Sequence, residues 1–398
     1  MSPDRGRSIR SAFAALLVAR LASSLLQAGL LVTLAREVDP KTFGSVAAFI
    51  VIITLGGAVA DLGLETAALR QSAVNLLFVG RMRRLHSALV GSACLVMLGV
   101  SALGVILGLD LLSLLPLMLW VYLERRMSFD IGLNIGHQRT LRAGVALVGA
   151  RMVTVGAFIL LPIDVSPVLA YSLSSVLGSG VGVMLAKFHV PPSRGAADAT
   201  VKQVLKAANP FWRATMSGLL RTLDVLIVQA VSGQGVSGIY ALPSRAIAPM
   251  RLIATSISTT ALPYAARRDY ARLRTLERTM LVALCAAIAM AIAGWAFVDD
   301  FVVMVLGEAY EPSADVLRVL IIGVVLNVPG AFWSGVLQGT GHEQYVARVG
   351  ALLVVVFLPL VAVGSALGGA VGAATGVTAT YLLQVMIFGT QRVRTGKW

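Results

Sequence analysis

The sequence predicts an all-α membrane protein with about twelve membrane-spanning helices. Of its 398 residues, 57% are hydrophobic and only 13% are charged, and the mean hydropathy is +0.84. The apolar residues form segments of about 20 residues or more, the length at which a helix crosses a bilayer. A helix satisfies its own backbone hydrogen bonds, so it is the element expected at that depth. This composition excludes a soluble domain of the same length.

Twelve apolar segments follow one another along the chain. The first lies behind a basic leader and is too long for a cleaved signal peptide, so we expect it to remain as a helix. The fourth is the least regular, because charged residues interrupt it, and two short pieces in its place would change the topology. The predicted helices cover residues 11–35, 43–69, 85–108, 111–136, 142–162, 166–187, 206–231, 236–262, 279–298, 313–337, 347–364 and 368–389.

The basic residues are distributed unequally between the loops. If the N-terminus lies in the cytoplasm, the cytoplasmic loops carry most of them, whereas the opposite loops carry only Arg36 and Lys41. This is the positive-inside pattern, and it predicts that both termini are cytoplasmic. The same pattern explains the net charge of +14, which in a soluble protein would favour nucleic acid. We therefore expect membrane lipid as a partner, and no nucleic acid.

A polar stretch at 190–201 is the only linker-like segment, and it divides the chain near its middle. The tripeptide at 136–138 (Gly-His-Gln) parallels the one at 341–343 (Gly-His-Glu), which indicates an internal repeat. Parallel repeats of this kind usually place a substrate site between the two halves. We predict an N-terminal six-helix half at 1–189, a cytoplasmic linker at 190–205 and a C-terminal six-helix half at 206–398.

Charged residues lie inside the predicted helices, where each costs on the order of 3 kcal/mol. The arginines outnumber the acids, and structural ion pairs alone would balance the two signs. An excess of guanidinium groups favours an anionic ligand, because guanidinium binds phosphate through two hydrogen bonds. The residues are Arg20, Arg125, Arg126, Arg151, Arg213, Arg221, Arg245, Arg251 and Arg318, against Asp61, Glu65, Glu124, Asp130 and Asp224.

Two polar stripes are the candidates for binding that ligand. Residues three or four apart share one face of a helix, which aligns residues of the first helix and of the seventh. These two helices open the two halves, so we expect them to line a shared cavity. Two arginines of the eighth helix lie six apart, so only one is expected to face the cavity. The predicted substrate-binding residues are Arg20, Ser24, Gln27, Arg213, Ser217, Arg221, Asp224, Arg245 and Arg251.

Several of these charges have a structural alternative. Asp61 and Glu65 lie four apart near the inner end of the second helix, where they could exchange protons or bind sodium. They could equally pair with Arg70 or Arg20 at an inner gate, and Arg221 could simply neutralise Asp224. The fourth segment likewise offers either internal ion pairs or a cavity cluster, formed by Glu124, Arg125, Arg126 and Asp130.

The sequence contains no metal-ligand cluster, phosphate-binding glycine loop or nucleophile constellation. We therefore expect no metal, no cofactor and no enzymatic activity, while coupling to H⁺ or Na⁺ is left open. Gly364, Gly368, Gly372 and Gly376 form a repeated GxxxG series, which predicts close packing of the last two helices.

Short motifs spread over nearly the whole chain carry a family resemblance. They are 43–44 (Phe-Gly) with 61–64 (Asp-Leu-Gly-Leu), 223–227 (Leu-Asp-Val-Leu-Ile) leading to 238–243 (Gly-Ile-Tyr-Ala-Leu-Pro), and 306–310 (Leu-Gly-Glu-Ala-Tyr) with 337–341 (Leu-Gln-Gly-Thr-Gly). In order and spacing they resemble the Wzx-type lipid-linked oligosaccharide flippases. These polysaccharide transporters are relatives of the multidrug and toxic-compound extrusion (MATE) exporters.

The resemblance implies a MATE-like exporter fold in the bacterial inner membrane. It also implies alternating-access transport of an undecaprenyl-pyrophosphate-linked oligosaccharide for a surface polysaccharide, with other polysaccharide assembly proteins as partners. An ion-coupled MATE-type exporter of small molecules is one alternative, although it would favour acids and aromatics at depth. A polymerase or ligase would need a large outside loop, and a non-transporting scaffold of the assembly machinery stays open.

Overall fold

The computed structural model of the chain is an all-helical membrane protein. It describes residues 3–71, 76–107, 111–137, 139–161, 165–187, 200–247 and 270–395, with the single positions 250, 254 and 265. Within these ranges every regular element is a helix, and seven helices are long and apolar enough to cross a membrane. The predicted all-α polytopic membrane fold is therefore confirmed.

The helices lie close to the predicted segments. The last one has 53 residues and contains a break at Gly368 and Gly369, so it corresponds to the predicted eleventh and twelfth helices. In chain order the helices are α1 (Pro3–Glu37), α2 (Pro40–Asp61), α3 (Leu64–Gln71), α4 (Leu76–Ile106), α5 (Pro116–Gly136), α6 (Thr140–Leu160), α7 (Pro167–Ala186), α8 (Val201–Leu219), α9 (Asp224–Ser232), α10 (Gln234–Ala246), α11 (Tyr270–Gly294), α12 (Val298–Leu306), α13 (Ser313–Gly339) and α14 (Glu343–Thr395), with 3₁₀ turns at Leu112–Leu114, Leu220–Leu223, Trp295–Phe297 and Glu308–Tyr310.

The chain divides into two compact units. The N-terminal unit contains Met1–Leu30 and Phe49–Leu219, and the C-terminal unit contains Leu31–Ala48 and Leu220–Trp398. The end of α1 and the start of α2 therefore belong to the C-terminal unit. The predicted linker at 190–205 lies largely outside the described residues, and the predicted division into halves stays a prediction.

The described residues of the N-terminal unit form two apolar cores. In the first, Leu64 of α3, Met82 of α4, Phe129 of α5 and Ala208 of α8 are fully buried against one another. The second joins α1, α5, α6 and α7 and consists mainly of alanine, including residues 143, 146 and 150 of α6. Lipid offers no hydrophobic drive for helix association, so small residues that let backbones approach are the main source of contact.

The second predicted helix is broken, and the prediction of one helix over 43–69 is wrong at this point. Leu62 and Gly63 have φ angles of 52° and 77°, which end α2 and begin α3. Gly63 is required because a Cβ there would lie 2.4 Å from the backbone nitrogen of Trp212 in α8. The close approach of α8 therefore fixes the break.

The fourth segment agrees with its prediction, since it forms one helix from Pro116 to Gly136 although charged residues interrupt its apolar pattern. Two other segments differ from the predictions. The seventh is divided by the 3₁₀ turn Leu220–Leu223 into α8 and α9. The gap between the predicted ninth and tenth helices, at 299–312, contains most of the additional helix α12. Most of the second half of the predicted eighth helix, including Arg251, lies outside the described residues.

The start of α2 is fixed by its sequence. Asp39 precedes Pro40, a combination suited to a helix N-terminus because proline needs no backbone donor in the first turn. The Asp39 carboxylate accepts the backbone N–H groups of Lys41, at 3.1 Å, and Thr42, at 3.4 Å. It also accepts the Thr42 hydroxyl, and this hydrogen bond holds the pKa of Asp39 below its usual value.

Backbone contact between glycines holds α2 against α10 within the C-terminal unit. A Cβ on Gly44 would lie 2.1 Å from the carbonyl oxygen of Gln234, and one on Gly238 would lie 1.8 Å from that of Pro40. Nearby, the Phe43 ring packs edge-on against Tyr310 with centroids 6.3 Å apart. Both glycines lie in motifs that carry the family resemblance, and this contact explains why the residues there are small.

Proline 243 lies inside α10 and removes one backbone hydrogen bond from it. Without an N–H at this position, the carbonyl of Ile239 loses its usual intrahelical donor. The hydroxyl of Ser313, the first residue of α13, donates to that carbonyl at 2.9 Å. A bond between two helices thus replaces the missing bond within one.

The two limbs of α14 fold back on each other through the predicted glycine series. A Cβ on Gly364 would lie 2.2 Å from the carbonyl oxygen of Gly372, and one on Gly372 would lie 1.9 Å from that of Gly364. Gly376 likewise faces the carbonyl of Leu360 at 2.5 Å. The predicted close packing is confirmed at these positions, whereas Gly368 forms part of the break.

We predict that Gly372→Ala destabilises the protein by about 1–3 kcal/mol, because the added methyl group forces two backbones apart. Gly350 is the matched control, since nothing lies within 4 Å of a Cβ there. Gly350→Ala should be neutral or stabilising by about 1 kcal/mol through helix propensity. Thermal unfolding of the purified variants in detergent measures the difference, and equal stability would contradict the packing described.

Candidate functional site

The N-terminal unit contains a network of charged side chains carried by α2 to α7. Its acids are Asp61, Glu65, Glu124 and Asp130, and each lies within 4 Å of a basic side chain. The sequence analysis placed these acids in two separate groups, one on the second helix and one on the fourth. The structure brings them together in one unit.

Asp61, at the end of α2, pairs with His86 of α4. Oδ1 of Asp61 lies 2.7 Å from Nδ1 of His86, and the two side chains are only 6% and 1% exposed. The carboxylate also accepts the backbone N–H of Glu65 at 3.2 Å, across the break at Leu62 and Gly63. The His86 ring packs on Phe129 with centroids 4.8 Å apart. This pair is the most enclosed part of the network.

Glu65 has a different partner. Its Oε2 lies 3.9 Å from Nη1 of Arg125, whose Nη2 donates to the carbonyl of Thr54 at 3.1 Å. Because α2 ends before Glu65, the four-residue spacing that suggested one shared face with Asp61 does not apply. The side chain of Arg70, the predicted gate partner, lies outside the described residues.

Asp130 of α5 joins two arginines. Its side chain is fully buried, and Oδ2 lies 3.2 Å from Nη2 of Arg83 and 3.6 Å from Nε of Arg126. Arg126 also donates to the hydroxyl of Ser87. A buried carboxylate of this kind requires opposite charge, and α4 and α5 supply it from two sides.

Glu124 completes the network towards α6 and α7. Its Oε1 pairs with Arg151 of α6, and its Oε2 accepts the hydroxyl of Ser179 of α7 at 2.8 Å. With the ion pairs of Asp130 and Glu65, this shows how the charged stretch of α5 is neutralised. Every acid of α5 meets a cation on a neighbouring helix or on α5 itself.

The C-terminal unit contains one buried carboxylate of the predicted set. Asp224, at the start of α9, accepts the Tyr240 hydroxyl at 2.8 Å, the Ser244 hydroxyl at 3.4 Å and the Val225 N–H at 2.9 Å. Because a 3₁₀ turn precedes α9, the α-helical spacing does not extend from Arg213 to Asp224. The single stripe predicted for the seventh helix is therefore interrupted.

The remaining predicted residues are spread over both units. Arg20 is exposed on α1, and Ser24 and Gln27 on the same helix are half-buried. Arg221 lies half-buried in its 3₁₀ turn, and Arg245 lies half-buried at the end of α10. In the part of the chain that the structure describes, Arg20 and Arg245 have no acidic partner. The side chains of Arg213 and Ser217 are outside that part.

Sequence reasoning missed His86 and Arg83, which both belong to the network. The predicted third helix began at residue 85, so Arg83 was assigned to a loop and His86 to the end of the helix beside that loop. The helix α4 begins at Leu76 and carries both inside. Arg318, in contrast, pairs locally with Asp299 and Asp315 and takes no part in a buried site.

We predict that Asp130→Asn lowers stability by about 3–5 kcal/mol, because it leaves two arginines sharing a buried position without a counter-charge. Asp315→Asn is the control, since that carboxylate also pairs with an arginine but is 66% exposed. Its loss should change stability by less than about 1 kcal/mol. Detergent thermal unfolding and membrane protein levels measure both, and a stable Asp130→Asn protein would contradict the prediction.

The fold is similar to that of solved transporters over almost the whole chain. A multidrug resistance MATE family transporter of the MOP superfamily, in an inward-facing conformation, matches with a TM-score of 0.69 and 17% identity, covering 94% of each chain. A Vibrio cholerae MATE transporter mutant matches with a TM-score of 0.62 and 15% identity, covering 97% of this chain and 98% of that one. These likenesses define a multi-span membrane protein with a MATE-like fold.

The family is defined by sequence. The family model described as "Polysaccharide biosynthesis protein" matches residues 9–268, and the chain belongs to this family. A second family model, MatE, matches residues 219–363. No curated protein sequence matches the chain. The resemblance to the polysaccharide transporters that the motifs indicated is thereby confirmed.

Proposed function

We propose that this chain is a flippase that moves a lipid-linked oligosaccharide across the bacterial inner membrane for surface polysaccharide synthesis. The observation that carries the proposal is the polysaccharide biosynthesis family match over residues 9–268, on a fold shared with transporters. In this proposal both termini are cytoplasmic, as the charge distribution predicts. The substrate is an undecaprenyl-pyrophosphate carrier with its glycan, and polysaccharide assembly proteins deliver or receive it.

The arrangement of charges supports an anionic substrate. The four acids of the N-terminal network are matched by four arginines: Asp61, Glu65, Glu124 and Asp130 against Arg83, Arg125, Arg126 and Arg151. These arginines are therefore engaged in structure. Arg20 of the N-terminal unit and Arg245 of the C-terminal unit have no acidic partner among the described residues, so each is a separate candidate for binding an anionic group. Guanidinium groups would replace the hydration that the head group loses at membrane depth.

We predict that Arg245→Ala weakens binding of the lipid-linked substrate about tenfold or more, because a charge-assisted hydrogen bond contributes about 1.5–3 kcal/mol. Arg221→Ala should behave similarly if Arg221 faces the substrate. Lysine at either position should restore part of the affinity, since it keeps the positive charge but lacks the planar guanidinium group that donates two parallel hydrogen bonds. Arg348→Ala, at an exposed position of α14, is the control and should bind normally.

A structural role for Arg221 makes a different forecast. If Arg221 only neutralises Asp224, then Arg221→Ala with Asp224→Ala should restore binding that the single change loses. Wild-type binding by well-folded Arg221→Ala and Arg245→Ala proteins would rule out the cationic site. Measuring the protein level in the membrane separates loss of binding from loss of protein.

Coupling to a proton gradient is assigned, within this proposal, to Asp61 and His86. Imidazole groups commonly transfer protons in proteins, and here one is buried against a carboxylate at 2.7 Å. Glu65 and Phe129 enclose the pair, and Arg83 and Asp130 lie beyond it in the same network. Protonating His86 would add one positive charge to a network whose other charges balance.

We predict that Asp61→Asn or His86→Asn abolishes the dependence of transport on an imposed proton gradient. The physical reason is that neither variant retains an imidazole paired with a carboxylate. Proteoliposomes with an inward or outward pH gradient provide the measurement, with Asp315→Asn as the control. Unchanged gradient dependence in both variants would remove this pair from the coupling step.

The second candidate function is export of small molecules. It is favoured by the MatE match at 219–363 and by the multidrug MATE transporter among the similar structures. A deletion strain distinguishes the two. A flippase mutant should lose surface glycan and accumulate inward-facing lipid-linked precursor, whereas an exporter mutant should keep its glycan and become more sensitive to toxic compounds. The second outcome would replace our proposal.

A further inference from the structure

The C-terminal unit has a cleft at the end where α11 begins and where α13 and α14 finish. Its volume is about 570 Å³, which lies in the range of small-ligand sites. Arg274 and Arg278 of α11, Trp333 of α13, and Gly389 and Arg392 of α14 line it. None of these residues takes part in the charge network of the N-terminal unit.

The spacing of buried residues along α11 places its arginines at the cleft. Leu273, Glu277 and Met280 are buried or nearly so, and their spacing of four and three places them on one face. Leu273 and Met280 pack in a core with Phe332 of α13. The adjoining face carries Arg274 and Arg278, whose side chains are exposed. The packing of α11 therefore presents two cations side by side at the cleft.

The acid in the cleft is already engaged. Glu277 accepts the indole N–H of Trp333 at 3.3 Å, and its other oxygen accepts from Arg392 at 2.7 Å. Among the described residues, Arg274 and Arg278 have no acidic partner. Two like charges four residues apart repel each other on a helix. An anion bound between them would remove that repulsion.

An apolar trough continues from the cationic end. A second cleft of about 460 Å³ shares Trp333, Gly389 and Val393 with the first. It extends to Val385 and Met386, and Thr390 and Arg394 complete its lining. Along α14, the step from Val393 back to Val385 is about 12 Å, directed away from the helix end. Gly389 lets the Trp333 ring lie close to α14 at this point, since a Cβ there would lie 3.0 Å from the ring.

We propose that this groove binds an anionic glycerophospholipid of the membrane. The phosphate lies between Arg274 and Arg278, and the acyl chain follows the trough along Val385 and Met386. Trp333 suits the level of the head groups, where aromatic residues concentrate. The trough is the reason to assign a lipid, because a soluble anion would use the arginines alone. The charge distribution of the chain assigns the site to the cytoplasmic leaflet, whose anionic lipids attract basic segments.

The test uses the purified full-length chain in neutral detergent and counts bound lipids by native mass spectrometry. Phosphatidylglycerol and phosphatidylcholine with identical acyl chains are the probes, and glycerol 3-phosphate is the soluble probe. We expect retention of phosphatidylglycerol but not of the other two. The double variant Arg274→Ala with Arg278→Ala should bind phosphatidylglycerol about thirtyfold more weakly. Arg348→Ala, an exposed cation on the same unit, should bind as the wild type does.

Two further variants keep the result interpretable. Arg274→Lys with Arg278→Lys preserves the charge and should retain most of the binding. Val393→Glu places an acid in the groove at a position that is 72% exposed, so it should repel the lipid without removing core contacts. Equal binding of both lipids, equal binding of glycerol 3-phosphate, or wild-type binding by the double alanine variant would each overturn the proposal. Because the assay contains no glycan substrate, its outcome is independent of the proposed transport function.

Discussion

The central constraint on this chain is that a buried carboxylate must be paired with an opposite charge or satisfied by hydrogen bonds. An unpaired buried ion costs several kcal/mol, and removing one member of a pair exposes the whole of that cost. In the N-terminal unit, the acids form ion pairs with basic side chains on other helices. Asp130 reaches α4, and Glu124 reaches α6 and α7. The network thus connects α5 to α4, α6 and α7 where the sequence of α5 is most polar.

The C-terminal unit is held together in a different way. Its close contacts are between backbones, at Gly44 with Gly238 and at Gly364 with Gly372. Where it buries a carboxylate, at Asp224, hydroxyl groups and a backbone N–H provide the hydrogen bonds. Among the described residues, Arg245, Arg274 and Arg278 of this unit have no acidic partner, whereas Arg392 pairs with Glu277. Both the substrate proposal and the lipid groove depend on this separation between cations used for structure and cations available for ligands.

Hydropathy located the helices because membrane-spanning length is a local property of the sequence. The break at Leu62 and Gly63 could not be found in this way, because the close approach of α8 to Gly63 is a contact between distant parts of the sequence. The pairing of Asp61 with His86 joins positions 25 residues apart, and no spacing rule identifies such partners. The sequence therefore predicted which residues carry charge at depth, while the tertiary structure decided which of them are neutralised.

The hydrogen bond from the Ser313 hydroxyl to the carbonyl of Ile239 limits which substitutions the sequence tolerates at positions 243 and 313. The hydroxyl is needed only because Pro243 cannot donate to that carbonyl. With alanine at position 243, α10 would supply its own donor, and the hydroxyl at position 313 would no longer be required. With proline kept, loss of the hydroxyl would leave a carbonyl unsatisfied in an apolar setting. We expect positions 243 and 313 to covary among related chains.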